Sequence, residues 1–514
     1  MLRAFASFVC TFGRPARAGI VAAGFVAAAL LSGCAQVADD GTPKDRKLSD
    51  SDKLALELEQ NIGFVDDPEL VSYVETVGGR IAVQTKRKDI DFRFKILDMP
   101  APNALALPDG QVFVSRGVLV LVNSEDELAS ILAHEIAHVE ERHASERENL
   151  ALVTSPIRLG AGIAGWATGL VIPDLGDAIV ELGESTTGLL IAPYSREQER
   201  EADRVGQTLA AASGYDPQGL AELLDTMVTA EALDPEFRVE QSWFDTHPAT
   251  SERVEATRDY GASLTPEPRP QSALDRAGVL DTLDGLIIGG NPANGFFDEN
   301  WFVHPDLAFV IGFPLGWEGI NTGGFVGAKK DGEEIFVMLA LVARGSDPML
   351  GAKEASRRLQ TDLVTNAITG HVNGLAAAKN RVQVDDERAG VQLVELTWIA
   401  HGGRIFQVMA VAPVERFEAE EEVMTKSAHS FRPLADEERA NIAVLKLRVV
   451  EARGGESIAE LSERVQTPLT PQTVAVMNRK SIDARLEQGE PLKVGIRERY
   501  STEPEVPFAR PAER

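Results

Sequence analysis

Apolar positions recur at helical spacing in some stretches of the chain and alternate in others. Leu128, Ile131, Leu132, Ile136 and Val139 follow a helical period. At about 100° per residue, Leu128, Leu132, Ile136 and Val139 fall within a sector of roughly 80°. Ser124, with Glu127 three places on, predicts a capping box at the start of that helix. Residues 50 to 88 also read as helical, through Leu54, Leu56, Leu58, Ile62, Leu70, Val71, Val74 and Val77. Phe92, Phe94 and Ile96 alternate as a strand, and two more strands are expected to flank Pro108-Asp109-Gly110. One of these carries Asn103, Ala104 and Leu105, and could offer an exposed edge to an extended peptide. A second capped helix opens at Ser195 and Gln198 and stops at Gly214. Between the two helices, residues 151–193 are apolar and punctuated by glycine. The run from Leu159 to Ile172 stops at Pro173-Asp174, short for a membrane span. Helices packed closely through small residues are the first reading of that stretch. A lid over a cleft, or a surface touching membrane or substrate, is the other.

Further on, Pro266, Pro268 and Pro270 mark residues 265–284 as a linker. An α+β domain is expected over 285–436, with strands near 307–311, 335–341, 390–396 and 405–411 and helices at 352–369 and 419–427. His304, His371, His401 and His429 lie in it without ligand spacing and read as structural. A β-α-α-β module is expected over 443–496, and residues 497–514 read as a disordered tail.

The N-terminal 33 residues stand apart from this pattern. Arg3, Arg14 and Arg17 precede an apolar run from Gly19 to Leu31, which ends in Leu31-Ser32-Gly33-Cys34. That is the layout of a secretory signal peptide. A cysteine directly after small residues resembles the bacterial lipoprotein signal, which implies cleavage before Cys34 and lipidation of its thiol. Cys10, the other cysteine, lies in the removed segment. Residues 34–50 then form a polar tether. Ala35 follows the cysteine where an aspartate would signal inner-membrane retention. By resemblance to lipoprotein sorting in Gram-negative bacteria, this favours the outer membrane, facing the periplasm. The formal charge of −28 falls to −31 once the three arginines are removed. So acidic a surface would repel phosphates and argues against nucleic acid.

The chemistry centres on His134-Glu135-Ile136-Ala137-His138. Two histidines four apart in a helix share one flank and can grip one zinc ion. Glu135 can reach a water on that ion as general base. A third ligand is sought among Glu197, Glu199 and Glu201. Taking Glu199 as origin, Asp203, Gly206 and Ala210 fall within roughly 40°, whereas Glu197 and Glu201 point about 160° away. The small residues suit a packed face, so Glu199 is the candidate ligand and Asp203 the partner of a ligand imidazole. His143 would lie roughly 140° around the helix from His138 and reads as structural. His247 could bond the oxyanion of the reaction, or close zinc's open position as a fourth ligand. Arg253 is expected to hold the His247 loop by an ion pair.

His-Glu-Ile-Ala-His with Arg142-His143, then Tyr194-Ser195-Arg196 with Glu199, Glu201, Ala202, Asp203 and Gly206, then Thr246-His247-Pro248 with Arg253 is a specific ordered set. It resembles the zinc metallopeptidase family of the CAAX prenyl endopeptidases, HtpX and the BepA-type periplasmic proteases, over about residues 50–260. The resemblance implies one zinc per chain on His134, His138 and Glu199, Glu135 as catalytic base, Asp203 as a supporting acid, and substrate binding along Asn103, Ala104 and Leu105. The expected fold class is α+β. It comprises a mainly helical, gluzincin-type protease domain with a small sheet at 51–264, then the α+β domain, then the terminal module. That module resembles LysM, which would imply contact with peptidoglycan; a structural cap or a protein-binding module is an equal reading. No 34-residue helical repeat is present, unlike the downstream repeats of BepA-type proteins. The expected activity is zinc-dependent endoproteolysis of unfolded or misassembled envelope proteins. The rival is a non-catalytic scaffold or holdase with a structural zinc, and a third reading is a protease kept latent by the His247 loop.

Overall fold

The computed structural model describes residues 49–143, 193–233, 243–247, 251–359, 361–386 and 390–501 of the 514-residue chain. The signal segment, Cys34, the glycine-punctuated stretch 151–192 and Pro248 lie outside the described residues. Among those described, no helix is long and apolar enough to cross a membrane. The chain divides into two compact units. One includes residues 49–143, 193–289 and 445–497; the other includes 290–444 and the last described residues.

The first unit opens with helices α1 (Asp50–Asn61) and α2 (Pro68–Ala82). Ser49 caps α1, bonding Asp52 N–H while the Asp52 carboxylate returns to the Ser49 N–H, and Asp67 with Pro68 starts α2. Strands β1 (Arg93–Leu97), β2 (Ala104–Ala106) and β3 (Gln111–Ser115) form a sheet in the order β1-β3-β2. β1 runs parallel to β3 and β2 antiparallel to it, so β2 is an edge. α3 (Arg116–Leu121) leads into α4 (Glu125–Glu140), the histidine-bearing helix. Ser124 caps α4 by accepting the Glu127 N–H, but the Glu127 carboxylate turns to the Asn123 N–H, so the expected capping box is half formed. α5 (Arg196–Ala212) does carry the reciprocal box between Ser195 and Gln198, and Gly214 beyond its end takes φ +82°. α6 (Gly219–Leu233), α7 (Trp243–Thr246), α8 (Ser251–Ser263) and α9 (Arg276–Leu283) follow. α9 corrects the expected linker at 265–284. Val279, Leu280 and Leu283 are buried, and Arg269 pairs with Asp126 at 2.6 Å.

The predicted apolar stripe of α4 sits in the main core with Leu70, Val74, Val77 and Ile81 of α2 and Leu220, Leu223 and Leu224 of α6. α4 and α5 cross at Gly206. A Cβ there would lie 2.9 Å from the His134 Cα, so only glycine permits this approach.

The second unit is α+β, as expected. Four short strands are β4 (Phe296–Asp298), β5 (Trp301–His304), β6 (Phe309–Gly312) and β7 (Glu318–Asn321). They are followed by β8 (Phe325–Lys329), β9 (Phe336–Arg344), α10 (Met349–Leu359), β10 (Ile368–Val372), β11 (Leu375–Asp386), β12 (Gly390–His401), β13 (Arg404–Pro413) and α11 (Val414–Ser430). A seven-stranded sheet has the order β10-β11-β12-β13-β9-β8-β7. The helix expected to reach residue 369 stops at Leu359, because the Asp362 carboxylate accepts the Val364 and Thr365 N–H groups and turns the chain into β10. His304 is pushed down to about 4 by burial and then by Arg404, so its ring is neutral, and its Nδ1 accepts the Leu307 N–H.

The last module has the expected β-α-α-β order: β14 (Arg432–Pro433) and a short helix, α12 (Asp436–Ala440), precede β15 (Ala443–Glu451), α13 (Ile458–Val465), α14 (Pro471–Met477) and β16 (Pro491–Arg499). Strand β16 runs into the expected tail, and the Tyr500 N–H bonds the Ile442 carbonyl, so a tail can begin only beyond residue 500. Residues 445–497 pack with the first unit. The fully buried Lys493 ammonium donates to the Val120 and Val122 carbonyls at 2.8 and 2.7 Å, at the C-terminal end of α3. Arg479 reaches Glu127 of α4 and Glu222 of α6. Lys493→Ala leaves both carbonyls without that donor and opens a void, so a loss of about 3 kcal/mol is expected. Urea unfolding of the full chain measures it, and an unchanged midpoint would remove Lys493 as an anchor.

Candidate metal centre

α4 and α5 lie against each other so that His134, His138 and Glu199 converge, and α7 brings His247 onto them. One donor atom from each lies within 4.8 Å of all the others, and all four residues are buried. His134 Nε2 is 3.1 Å from His138 Nε2 and 3.3 Å from His247 Nδ1. Glu199 Oε1 is 3.5 Å from His138 Nε2 and 2.8 Å from His247 Nδ1. Donors at zinc distances around a tetrahedral ion stand about 3.3 Å apart. The donor set therefore suits one zinc ion. Charge agrees with chemistry: Glu135, Glu199 and Asp203 are buried anions and Arg253 is the buried cation beside them. A divalent cation would neutralise the remainder.

The neighbours of the donors are as ordered as the donors. His134 Nδ1 lies 3.1 Å from Asp203 Oδ1. Arg253 holds Asp203 in a two-pronged pair, with Nε and Nη2 at 2.8 and 2.7 Å, and its Nη1 is 2.5 Å from Glu199. Burial pushes the Asp203 carboxyl up, but the Arg253 guanidinium outweighs it and holds the group below the ordinary carboxylate range. Arg253 thus pairs with acids of α5. Its contact with the His247 loop is a longer one, 3.5 Å to the His247 carbonyl. Glu135 Oε1 is 3.4 Å from the Trp243 indole nitrogen and 3.7 Å from His247 Nε2.

His134, Glu135 and His138 are fully buried. Trp243, His247 and Tyr194 cover them, with Tyr194 stacked on His138 at 3.7 Å and Trp243 on His247 at 4.5 Å. The strand edge is likewise not exposed. Asn103, Ala104 and Leu105 are buried, Leu105 packs in a cluster with Leu58 and Phe113, and the Trp243 N–H bonds the Pro102 carbonyl beside them.

Sequence reasoning gave no role to Trp243 or Tyr194, since a single aromatic in a one-turn helix or beside a helix start carries no spacing signal. It also misplaced His143. α4 ends at Glu140 and Arg142 takes φ 66°, so the chain turns back and sets His143 Nδ1 3.2 Å from His138 Nδ1.

Residues 68–260 match the model of peptidase family M48. The chain is 30% identical over 188 residues to the mitochondrial metalloendopeptidase OMA1 of Schizosaccharomyces pombe, covering 37% of this chain and 52% of that protein. It is 27% identical over 269 residues to the beta-barrel assembly-enhancing protease of Yersinia pestis, covering 49% and 53%. The counterpart from Escherichia coli is 24% identical over 252 residues, covering 47% and 50%. The chain thus spans about half the length of these curated relatives.

Arg253→Met would leave Glu199 and Asp203 side by side without their cation. An uncompensated buried charge of this kind costs about 3–5 kcal/mol. Chemical unfolding of the metal-free protein should show that loss; a midpoint equal to wild type would refute the charge balance drawn here.

Proposed function

Since residues 68–260 match the model of peptidase family M48, we propose that the protein is a zinc-dependent metalloendopeptidase of the bacterial envelope that cleaves unfolded or misassembled envelope proteins. The observation that carries this reading is the burial of Glu135 beside the four-donor cluster. A structural metal site needs no carboxylate base. His134, His138 and Glu199 would hold the ion. Bound there, zinc would polarise the scissile carbonyl and lower the pKa of water toward about 7. Glu135 takes the proton of the attacking water and returns it to the leaving amine. Asp203, on His134 Nδ1, fixes that ring's tautomer, so that Nε2 faces the ion. The names of the relatives, which include beta-barrel assembly-enhancing proteases, support an envelope substrate. Cys34 would carry the lipid that tethers the chain to the outer membrane, facing the periplasm. For residues 443–496 the Lys493 and Arg479 anchors suit a structural cap on the first unit rather than peptidoglycan contact.

His247 supports a latent state. Catalytic zinc sites use three protein ligands and keep a fourth position for water, whereas closed sites with four are structural. Here His247 supplies a fourth donor, directly after a short helix tied beside the substrate-strand candidate through Trp243 N–H and Pro102 O. The same closure is what a structural zinc in a holdase would show.

Caseinolysis by the zinc-loaded chain separates these readings. Glu135→Gln should lower it by about 10²–10⁴-fold, and undiminished zinc-dependent cleavage would discard the base. A null strain fully rescued by Glu135→Gln would favour the scaffold. Latency predicts that His247→Ala cleaves casein several-fold faster than wild type; a fall would instead assign His247 to catalysis.

A further inference from the structure

We infer that His143 and Glu201 are positioning residues for the ligand His138, forming a carboxylate–imidazole–imidazole relay that ends at the metal site. His143 Nδ1 lies 3.2 Å from His138 Nδ1, and His143 Nε2 lies 3.3 Å from Glu201 Oε2. The His143 ring is buried, whereas the Glu201 side chain is 45% exposed, so the relay runs from the donor cluster to the surface.

Each nitrogen in this chain has one consistent role. His138 Nε2 faces the other donors, and as a ligand it would offer its lone pair to the metal ion they share, which puts its hydrogen on Nδ1. That N–H has His143 Nδ1 as acceptor. Accepting there forces the His143 hydrogen onto Nε2, where the Glu201 carboxylate receives it. A ligand imidazole whose outer N–H is bonded keeps its tautomer and ring orientation, and such partners are worth about 10–100-fold in metal affinity. The two ligand histidines are therefore held differently. His134 meets a carboxylate directly, and that carboxylate is locked by Arg253. His138 meets an imidazole whose own carboxylate partner, Glu201, is partly exposed. The turn that makes this possible is local: Arg142 in the left-handed region folds the end of α4 back under His138. Tyr194 stacks on the face of the His138 ring while His143 meets its edge.

The inference rests on His138 being a zinc ligand, and the test separates the two claims. Zinc affinity of the full chain is measured by competition with a chromophoric chelator, alongside the visible spectrum of the cobalt-substituted protein. His143→Leu removes the acceptor, and zinc affinity should fall about 10–100-fold with a changed cobalt spectrum. His143→Asn puts an amide oxygen near the position of Nδ1 and should recover most of the affinity. Glu201→Ala, at a partly exposed side chain, should shift affinity in the same direction by a smaller factor, without loss of fold. If wild type binds no zinc, the metal-site reading itself fails. If wild type binds zinc and His143→Leu binds it equally well, or Asn is no better than Leu, the relay is overturned.

Discussion

Three carboxylates buried in one small volume set the terms for the first unit. Glu135, Glu199 and Asp203 are each nearly or wholly removed from water. Charges so placed repel one another and lose hydration, and they persist only with counter-charges at close range. One counter-charge is Arg253, which is itself buried and grips two of the three. The other would be a divalent ion held by the histidines and Glu199. The helices can present these groups to each other only because Gly206 lets α5 reach the backbone of His134. Closeness of the helices and balance of charge are thus the same requirement seen from two sides.

The segment 243–247 has several tasks in this arrangement. Trp243 uses its backbone N–H on Pro102, its indole N–H on Glu135 and its ring face on His247, while Arg253 stacks over the indole at 4.8 Å. The segment therefore joins the edge strand, the candidate base and the fourth donor in five residues. Displacing this short element would free the edge strand and the fourth donor position together.

Support for the zinc helix comes from far along the chain. Lys493 closes the carbonyl end of α3, and Arg479 reaches Glu127 in the first turn of α4. Both contacts are made by a module that looked separate in the linear order. Its β-α-α-β pattern was legible because each element carries its own period and cap, such as Ser457 with Glu460 on α13. Its docking was not, since a buried lysine and a surface lysine are the same letter.

Local physics made much of the site readable from residues alone. A four-residue spacing puts His134 and His138 on one flank of a helix, and a four-residue spacing again puts Glu199 and Asp203 on one face of another. Those periods hold only while the helix does. His143 shows this, because α4 ends at Glu140 and the next turn carries the ring somewhere the helical wheel does not reach. The linker at 265–284 shows the complementary failure: its prolines are polar-chain punctuation, yet Val279, Leu280 and Leu283 find a core to enter. What tertiary structure alone decided was which donors meet, that His247 joins them, that Trp243 covers them and that Glu201 stands behind His143. Those are contacts between elements tens to hundreds of residues apart. They depend on packing distances and excluded water, which no periodicity within a single element encodes.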